Sequence, residues 1–211
     1  MIRILTCFFF CIASTAHADL LWEFDTGGRV AGNPVVHEDS VFVAGGTHLH
    51  VLNHKGELQW SYDAGAPSRS TVGLGGDVVY LLADNGLHAV DASGQRMWLF
   101  KTSDGPLQVE GETMGWGEGL HTDPWAWYRS APLVVDGKVV FGNRQGTYAV
   151  DAKTGQQLWR ADTGTTHTRP AYHDGIVVVG SWDNQLYGLN LADGSIAWQV
   201  AARLPGGEMA G

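Results

Sequence analysis

Cysteine is nearly absent from this sequence: of 211 residues only Cys7 and Cys11 qualify, and both lie within the first eighteen. Without that stretch, no disulfide, no thiolate-held metal and no cysteine nucleophile is available to the chain. Charge is scarce as well, at 17% of residues, and unevenly signed, with 13 Lys and Arg against 22 Asp and Glu. An acidic balance of this kind disfavours generic binding to nucleic-acid phosphates or to an anionic membrane surface. It leaves protein partners open. No apolar run is long enough for a transmembrane helix. No window sustains a 3.6-residue period, so almost no helix is expected. Also missing are GxSxG, a P-loop, HExxH, an EF-hand run and a Ser-His-Asp arrangement. The glycine-rich stretches open no helix, which excludes a dinucleotide-binding turn.

Residues 1–18 read as a signal peptide. Arg3 supplies the positive start, Ile4 to Ala13 the apolar segment, and Ala16-His17-Ala18 a small-x-small cleavage site before Asp19. Removing one Arg and no acid leaves a mature charge of -10. The leader lacks the small residues ahead of a cysteine that lipoprotein processing needs. The expected product is periplasmic or secreted, with no transmembrane segment and at most a peripheral association with the envelope.

What the chain has instead is glycine, 29 residues, and tryptophan, nine. Trp22, Trp60, Trp98, Trp159 and Trp198 follow one another at intervals of 38, 38, 61 and 39 residues. The text ahead of the last four is similar: LHVLNHKGELQW, LHAVDASGQRMW, TYAVDAKTGQQLW and LYGLNLADGSIAW. A further apolar stretch lies upstream in each unit. Every unit reads as four short strands; in the third they are about Ala131–Val135, Val139–Gly142, Thr147–Asp151 and Gln157–Ala161. The runs are β-branched or aromatic and bounded by Asp, Asn and Gly turns. Four-stranded units of about 40 residues are the period of a propeller blade. The units fall at about 30–64, 69–102, 130–163 and 168–201, within a repeat region spanning 19–202. An insertion at 103–128 and a tail at 203–211 stand outside them. Leu20–Thr26 reads as a lone fourth strand. The expected fold is all-β: about four antiparallel blades plus one N-terminal strand, part of a larger ring of six to eight blades. A compact four-bladed ring and edge-to-edge assembly of two chains are the competing arrangements.

Each late Trp follows a turn whose Asn53, Asp91, Asp151 or Asn190 can accept from turn amides, and whose Gly56, Gly94, Gly155 or Gly194 can take positive φ. A large ring at that place fills the gap between successive sheets. Residues 149–159, AVDAKTGQQLW, resemble the tryptophan docking motif of the quinoprotein-type (PQQ-like) β-propeller repeat family at every fixed position: Ala149, Asp151, Thr154, Gly155 and Trp159. GLNLADGSIAW departs from it at Gly188 and Asp193, and AVDASGQRMW is one residue short. The resemblance implies a structural role for Trp60, Trp98, Trp159 and Trp198. It implies a fold more than an activity, since the family includes quinone-dependent dehydrogenases and non-catalytic periplasmic scaffolds of outer-membrane assembly.

In such a meander the B–C turns and D–A connections share one face. The longest interval places an insertion there, carrying Glu110, Glu112, Glu118, His121, Asp123, Trp116, Trp125, Trp127 and Tyr128. It reads as an aromatic binding loop, as a structural lid, or as a source of carboxylates for Ca²⁺ or a quinone. Arg69, Arg129 and Arg169 start equivalent A strands, where blade one has Ala31. Nearby turns add His48, Asn85, Arg144, Trp182 and Asp183, with His167 close by. The arginines could hold carboxylates or phosphate; equally, each could pair with a neighbour and lock the blades. His48 and His50 read as ordinary sheet histidines. No catalytic residue and no metal ligand is assigned. The expected function is a non-catalytic periplasmic module that binds another protein or an acidic ligand through its loop face, with no nucleic acid and no cofactor. The alternative is a fragment or relative of a PQQ-dependent dehydrogenase, and only that reading calls for PQQ with Ca²⁺.

Overall fold

A computed structural model describes residues 20–102, 108–110, 112, 115, 117–122 and 130–202. Short β-branched runs separated by Asp-Gly and Asn-Gly turns fold as hairpins, because such turns accept positive φ and match strand twist. Asp136-Gly137 and Asp174-Gly175 illustrate this, with φ of 46 and 70°, and 46 and 81°.

Blade one comprises β1 (Val35–His37), β2 (Ser40–Gly45), β3 (His48–Asn53) and β4 (Leu58–Asp63). Blade two comprises β5 (Gly73–Gly75), β6 (Val78–Ala83), β7 (Gly86–Val90) and β8 (Arg96–Lys101). Two short strands, β9 (Gln108–Glu110) and β10 (Leu120–Thr122), pair antiparallel inside the insertion. Blade three follows as β11 (Leu133–Val135), β12 (Lys138–Asn143), β13 (Gly146–Asp151) and β14 (Gln157–Ala161). Blade four is β15 (Ala171–His173), β16 (Ile176–Gly180), β17 (Gln185–Asn190) and β18 (Ile196–Ala201). Each blade is a four-stranded antiparallel meander paired in chain order.

The third and fourth strands of every blade slip register at one place, so that Gln59, Met97, Leu158 and Ala197 are skipped. The bulge falls just before the repeated Trp and adds local twist there. Trp60, Trp98, Trp159 and Trp198 thereby stand opposite Val51, Ala89, Ala149 and Gly188.

The core is divided by seam. Leu49, Val51 and Ala44 pack on Val72, Val79 and Leu81 between blades one and two. Leu82, Leu87 and Ala89 meet Val139, Phe141 and Tyr148 at the second seam. Val140, Ala149 and Trp159 meet Val177, Val179 and Leu189 at the third. Each blade therefore depends on its neighbours for burial of both faces.

One docking contact recurs along the chain. Trp22, Trp60, Trp98 and Trp159 lie against Gly56, Gly94, Gly155 and Gly194 of the following turn. The indoles of Trp22, Trp98 and Trp159 donate to the carbonyls of His54, Ala152 and Leu191 at 3.0, 3.1 and 2.9 Å. The Asp151 carboxylate accepts from the Lys153 and Thr154 amides and the Thr154 hydroxyl, which holds the turn open for the ring. A second contact is made two residues after the Trp. Phe24 meets His50, Tyr62 meets His88, and Phe100 meets Tyr148.

The two ends of the row differ from the interior. Leu20–Thr26 docks on blade one through Trp22 and Phe24 and pairs with no sheet among the described residues. Trp198 is 41% exposed where Trp159 is 6% exposed. Its ring crowds Gly188 of its own blade, and Leu186, Ile196 and Val200 around it are exposed too.

Candidate binding face

The B–C turns and D–A connections come together by backbone hydrogen bonds that are alike at the first and third seams. Ser68 N donates to Gly46 O and Asp84 N to Pro67 O, at 2.9 and 3.0 Å. At the third seam Thr166 N donates to Asn143 O and Trp182 N to Thr165 O, at 2.8 and 3.0 Å. The connections after blades one and three are thus tied to the turns on both sides of them. That makes this face a rigid platform for side chains.

Five of the residues singled out from the sequence stand in the turns and connections of the third and fourth blades. Trp182 is 53% exposed, and its ring centroid lies 5.0 Å from that of His167. Arg144 is half-buried, and its carbonyl accepts from the Thr165 hydroxyl at 3.4 Å. Arg169 is exposed. Asp183 accepts from the Tyr187 hydroxyl at 2.5 Å and from the Gln185 amide at 3.0 Å, so it is committed to its own turn. That hydrogen bond, with burial second, pushes the Tyr187 phenol up to about 12. Among these side chains the Trp182 indole and the His167 imidazole are in contact.

Arg69 is placed differently. Its guanidinium lies 3.6 Å from Asp84 in the B–C turn of blade two. The ion pair joins the connection to the blade it enters, in line with a locking role. Asn85 is likewise internal: it donates to Ala64 O and accepts from His88, each at 2.8 Å. His88 in turn accepts from the Tyr62 hydroxyl at 2.8 Å. Burial, with the nearby Arg96 second, lowers its pKa from 6.5 to about 4. This neutral histidine welds blade one to blade two. His48 and His50 stack at 5.7 Å, and His50, lowered chiefly by burial, reaches the Thr26 carbonyl at 3.2 Å.

The sequence reading passed over Arg160 and His88. Arg160 donates twice to Gln145 O and lies 5.7 Å above the Tyr148 ring. The signal for His88 was present, since HLH and GLH align it with His50 in the repeat. Arg129, Asp123, Trp116, Trp125, Trp127 and Tyr128 lie outside the described residues. In the insertion, Glu112 and Glu118 are exposed and His121 meets the Glu118 carbonyl at 3.2 Å.

Among the described residues no three His, Cys, Asp or Glu side chains gather as a metal site. Calcium beside a quinone needs several converging oxygen ligands. The oxygen-bearing side chains described on this face are engaged locally, Asp84 with Arg69, Asn85 with His88 and Asp183 with Tyr187, so they do not converge on a common point as that group would need. No helix among the described residues is long and apolar enough to cross a membrane.

Four antiparallel four-stranded blades in tandem, docked Trp upon Gly, define a protein of the PQQ-like β-propeller class. The chain belongs to the family of the outer membrane protein assembly factor BamB, whose model matches residues 12–114 and again 111–210. BamB from Moraxella catarrhalis is similar in structure at 18% identity and TM-score 0.66, over 85% of this chain and 52% of that one. The quinohemoprotein alcohol dehydrogenase ADHIIG from Pseudomonas putida HK5 is similar at 21% identity and TM-score 0.64, over 85% of this chain and 35% of that one. The computationally designed Ika4 protein is similar at 15% identity and TM-score 0.62, over 83% of this chain and 99% of that one. This chain thus spans about half the length of the BamB it matches and about a third of the dehydrogenase. Likeness at these identities speaks for the fold. No curated protein matches the sequence.

Proposed function

We propose that the chain is a non-catalytic binding module of the periplasm, part of a six- to eight-bladed ring, that engages a protein partner through its loop face. The observation that carries this reading is exposed Trp182, its ring against His167, on turns and connections joined by backbone hydrogen bonds, with Arg144 and Arg169 in the adjoining turn and connection. Exposed aromatics on a fixed backbone bind a partner with little ordering cost. Family membership supports a partner among the proteins of outer-membrane assembly and a location at the inner side of that membrane. A signal peptide ending at Ala18 accords with export.

A photo-crosslinking residue at position 182 tests the reading in cells that express the exported protein. Adducts with an envelope assembly protein, lost when the probe moves to exposed Leu158 on an outer strand, are expected. Adducts of equal yield at both positions would refute it. Titration with PQQ and Ca²⁺, read by tryptophan fluorescence and dye-linked alcohol oxidation, tests the dehydrogenase alternative. Saturable micromolar binding with turnover would replace the scaffold by an enzyme.

A further inference from the structure

A cavity of about 260 Å³ opens between blades one and two at the end where their A–B and C–D turns emerge, opposite the loop face. Its walls are apolar and aromatic: Phe42, Val51 and Trp60 from blade one, Leu74 and Val79 from blade two. Glu38, in the A–B turn of blade one, and Asp77, in that of blade two, line it as well. No Lys or Arg among the described residues does. Both acids are exposed, and neither carboxylate has a hydrogen-bond or ion-pair partner among the described residues.

The third seam carries what the first lacks. There Tyr172 stands where blade two has Leu74, Lys138 where blade one has Ser40, and Gly175 where blade two has Asp77. The Tyr172 hydroxyl donates at 3.1 Å to Asp136, the counterpart of Glu38. The corresponding groove is lined by Asp136, Lys138, Tyr172 and the β17–β18 turn; Trp159 is not part of its lining and is 6% exposed. At the first seam the shorter Leu74 leaves Trp60 half-buried and lining the cavity. The Trp60 indole also sits more loosely. Trp22, Trp98 and Trp159 each donate to a carbonyl of the next turn, whereas no such bond joins Trp60 to Ala92 among the described residues. A Cβ at Gly94 would fall 3.0 Å from the Trp60 ring, against 2.5 Å at Gly56 and 2.6 Å at Gly155 and Gly194.

We infer that this cavity receives an arginine side chain of a partner protein, stacked on its aromatic wall and paired with Glu38 and Asp77. The first seam lacks the flat ring of Tyr172, the donor that meets Asp136 and the cation of Lys138. A guanidinium supplies all three, since it is planar, bears five N–H donors and keeps its charge. Cations favour the face of Trp above other rings, and the methylene stem of Arg suits the apolar surface of Leu74 and Val79. A Lys ammonium brings the charge without the plane. The volume lies just below the range of small-molecule pockets and suits one side chain. The net charge of -9 draws basic segments toward the chain. The cavity is on the face opposite Trp182, and its occupancy does not depend on the loop-face reading.

Fluorescently labelled triarginine is the probe for the purified exported protein, with trilysine and the neutral isostere tricitrulline as comparators. Triarginine should bind saturably and more weakly as salt rises, trilysine roughly fivefold less tightly, and tricitrulline not at all. Leu74→Tyr sets the ring of the third seam into the gap and leaves every charge in place; it should weaken binding roughly tenfold or more. Glu38→Gln and Asp77→Asn should each weaken it roughly fivefold or more. Asp174→Asn, in the A–B turn of blade four, should leave it within about twofold. With isotopically labelled indoles, the Trp60 Nε1–H resonance, identified by its loss in Trp60→Phe, should shift on titration while that of Trp159 stays in place. Circular dichroism of each variant keeps loss of fold distinct from loss of binding. Tricitrulline or trilysine binding as tightly as triarginine would overturn the assignment, as would binding untouched by Leu74→Tyr. So would an unmoved Trp60 resonance, or equal weakening by Asp174→Asn and Glu38→Gln, which marks attraction to an acidic surface at large. Crosslinking at position 182 reads the other face, so failure of the cavity and failure of the loop-face reading are separate results.

Discussion

Two glycine-to-alanine substitutions separate the docking of one blade on another from the backbone conformation that docking uses. Gly65 and Gly194 both have positive φ, 69 and 74°. An added Cβ at Gly65 meets nothing within 4 Å, while at Gly194 it would lie 2.6 Å from the Trp159 ring. Gly65→Ala should therefore cost only the left-handed conformation of an L-residue, about 1–2 kcal/mol. Gly194→Ala should cost that and overpacking of a buried indole, about 1–3 kcal/mol more. Trp159 has no easy retreat. It is 6% exposed, and its Nε1–H is committed to Leu191 O at 2.9 Å. For a chain of this size each kcal/mol moves the midpoint by about 2–4 °C, so Gly194→Ala should melt several degrees below Gly65→Ala. Thermal unfolding followed by far-ultraviolet circular dichroism gives the comparison. Tandem blades need not unfold together, so hydrogen exchange should also localise the extra loss to β14 and β17. Equal melting of the two variants would refute the claim that the Gly–Trp contact, rather than the turn alone, holds the seam.

The remaining expectations concern charge and exposure. His88 has a folded pKa of about 4 against an ordinary 6.5, so the unfolded chain binds its proton first and stability falls as pH drops through that window. The loss should reach about 3 kcal/mol near pH 4, and His88→Gln should flatten the slope of unfolding free energy against pH; an unchanged slope would exclude His88 as its source. Trp159→Ala should cost roughly 3–5 kcal/mol, while Trp198→Ala, at a ring left 41% exposed, should cost well under half as much in the same denaturation assay. Trp182→Ala should leave the melting temperature within about 1 °C and reduce crosslinking or capture of the partner, since the ring is half in solvent.

The interior of the fold was legible because it repeats. Asp151, Thr154, Gly155 and Trp159 are spaced by the demands of one turn, and a turn of that kind, one residue shorter in blades one and two, recurs in every blade. The strands inside the insertion were not legible. Gln108–Glu110 and Leu120–Thr122 are three residues each, set among Gly and acidic residues, with no alternation long enough to show. The residues singled out from the sequence fall into different surroundings. Trp182 and Arg169 are exposed on the loop face. Arg69, aligned with Arg169, has Asp84 at 3.6 Å, a pairing visible only when the B–C turn is folded beside the connection. The Tyr62–His88–Asn85 chain spans two blades, so no single repeat contains it.

Trp198 shows what a repeat motif specifies and what it leaves to context. Its spacing from Gly194 matches that of Trp159 from Gly155, and its strand carries the same bulge. Yet Trp159 is buried and Trp198 is not, because burial of this ring is supplied by the turn of another blade. The motif encodes half of a contact. The same logic operates in reverse at the other end of the row, where Trp22 finds its glycine although Leu20–Thr26 pairs with no sheet among the described residues. Docking of the ring and pairing of the strand are therefore separable: the indole needs only the next turn, with its glycine and its free carbonyl. Where Gly188 replaces the Ala of the motif, the Trp198 ring instead crowds its own sheet, the nearest surface it has. Exposed Leu186, Ile196 and Val200 beside it extend the same unpaired face. The energetic unit of this fold is accordingly the seam between two blades, and a blade contributes its stability only as far as its seams are formed.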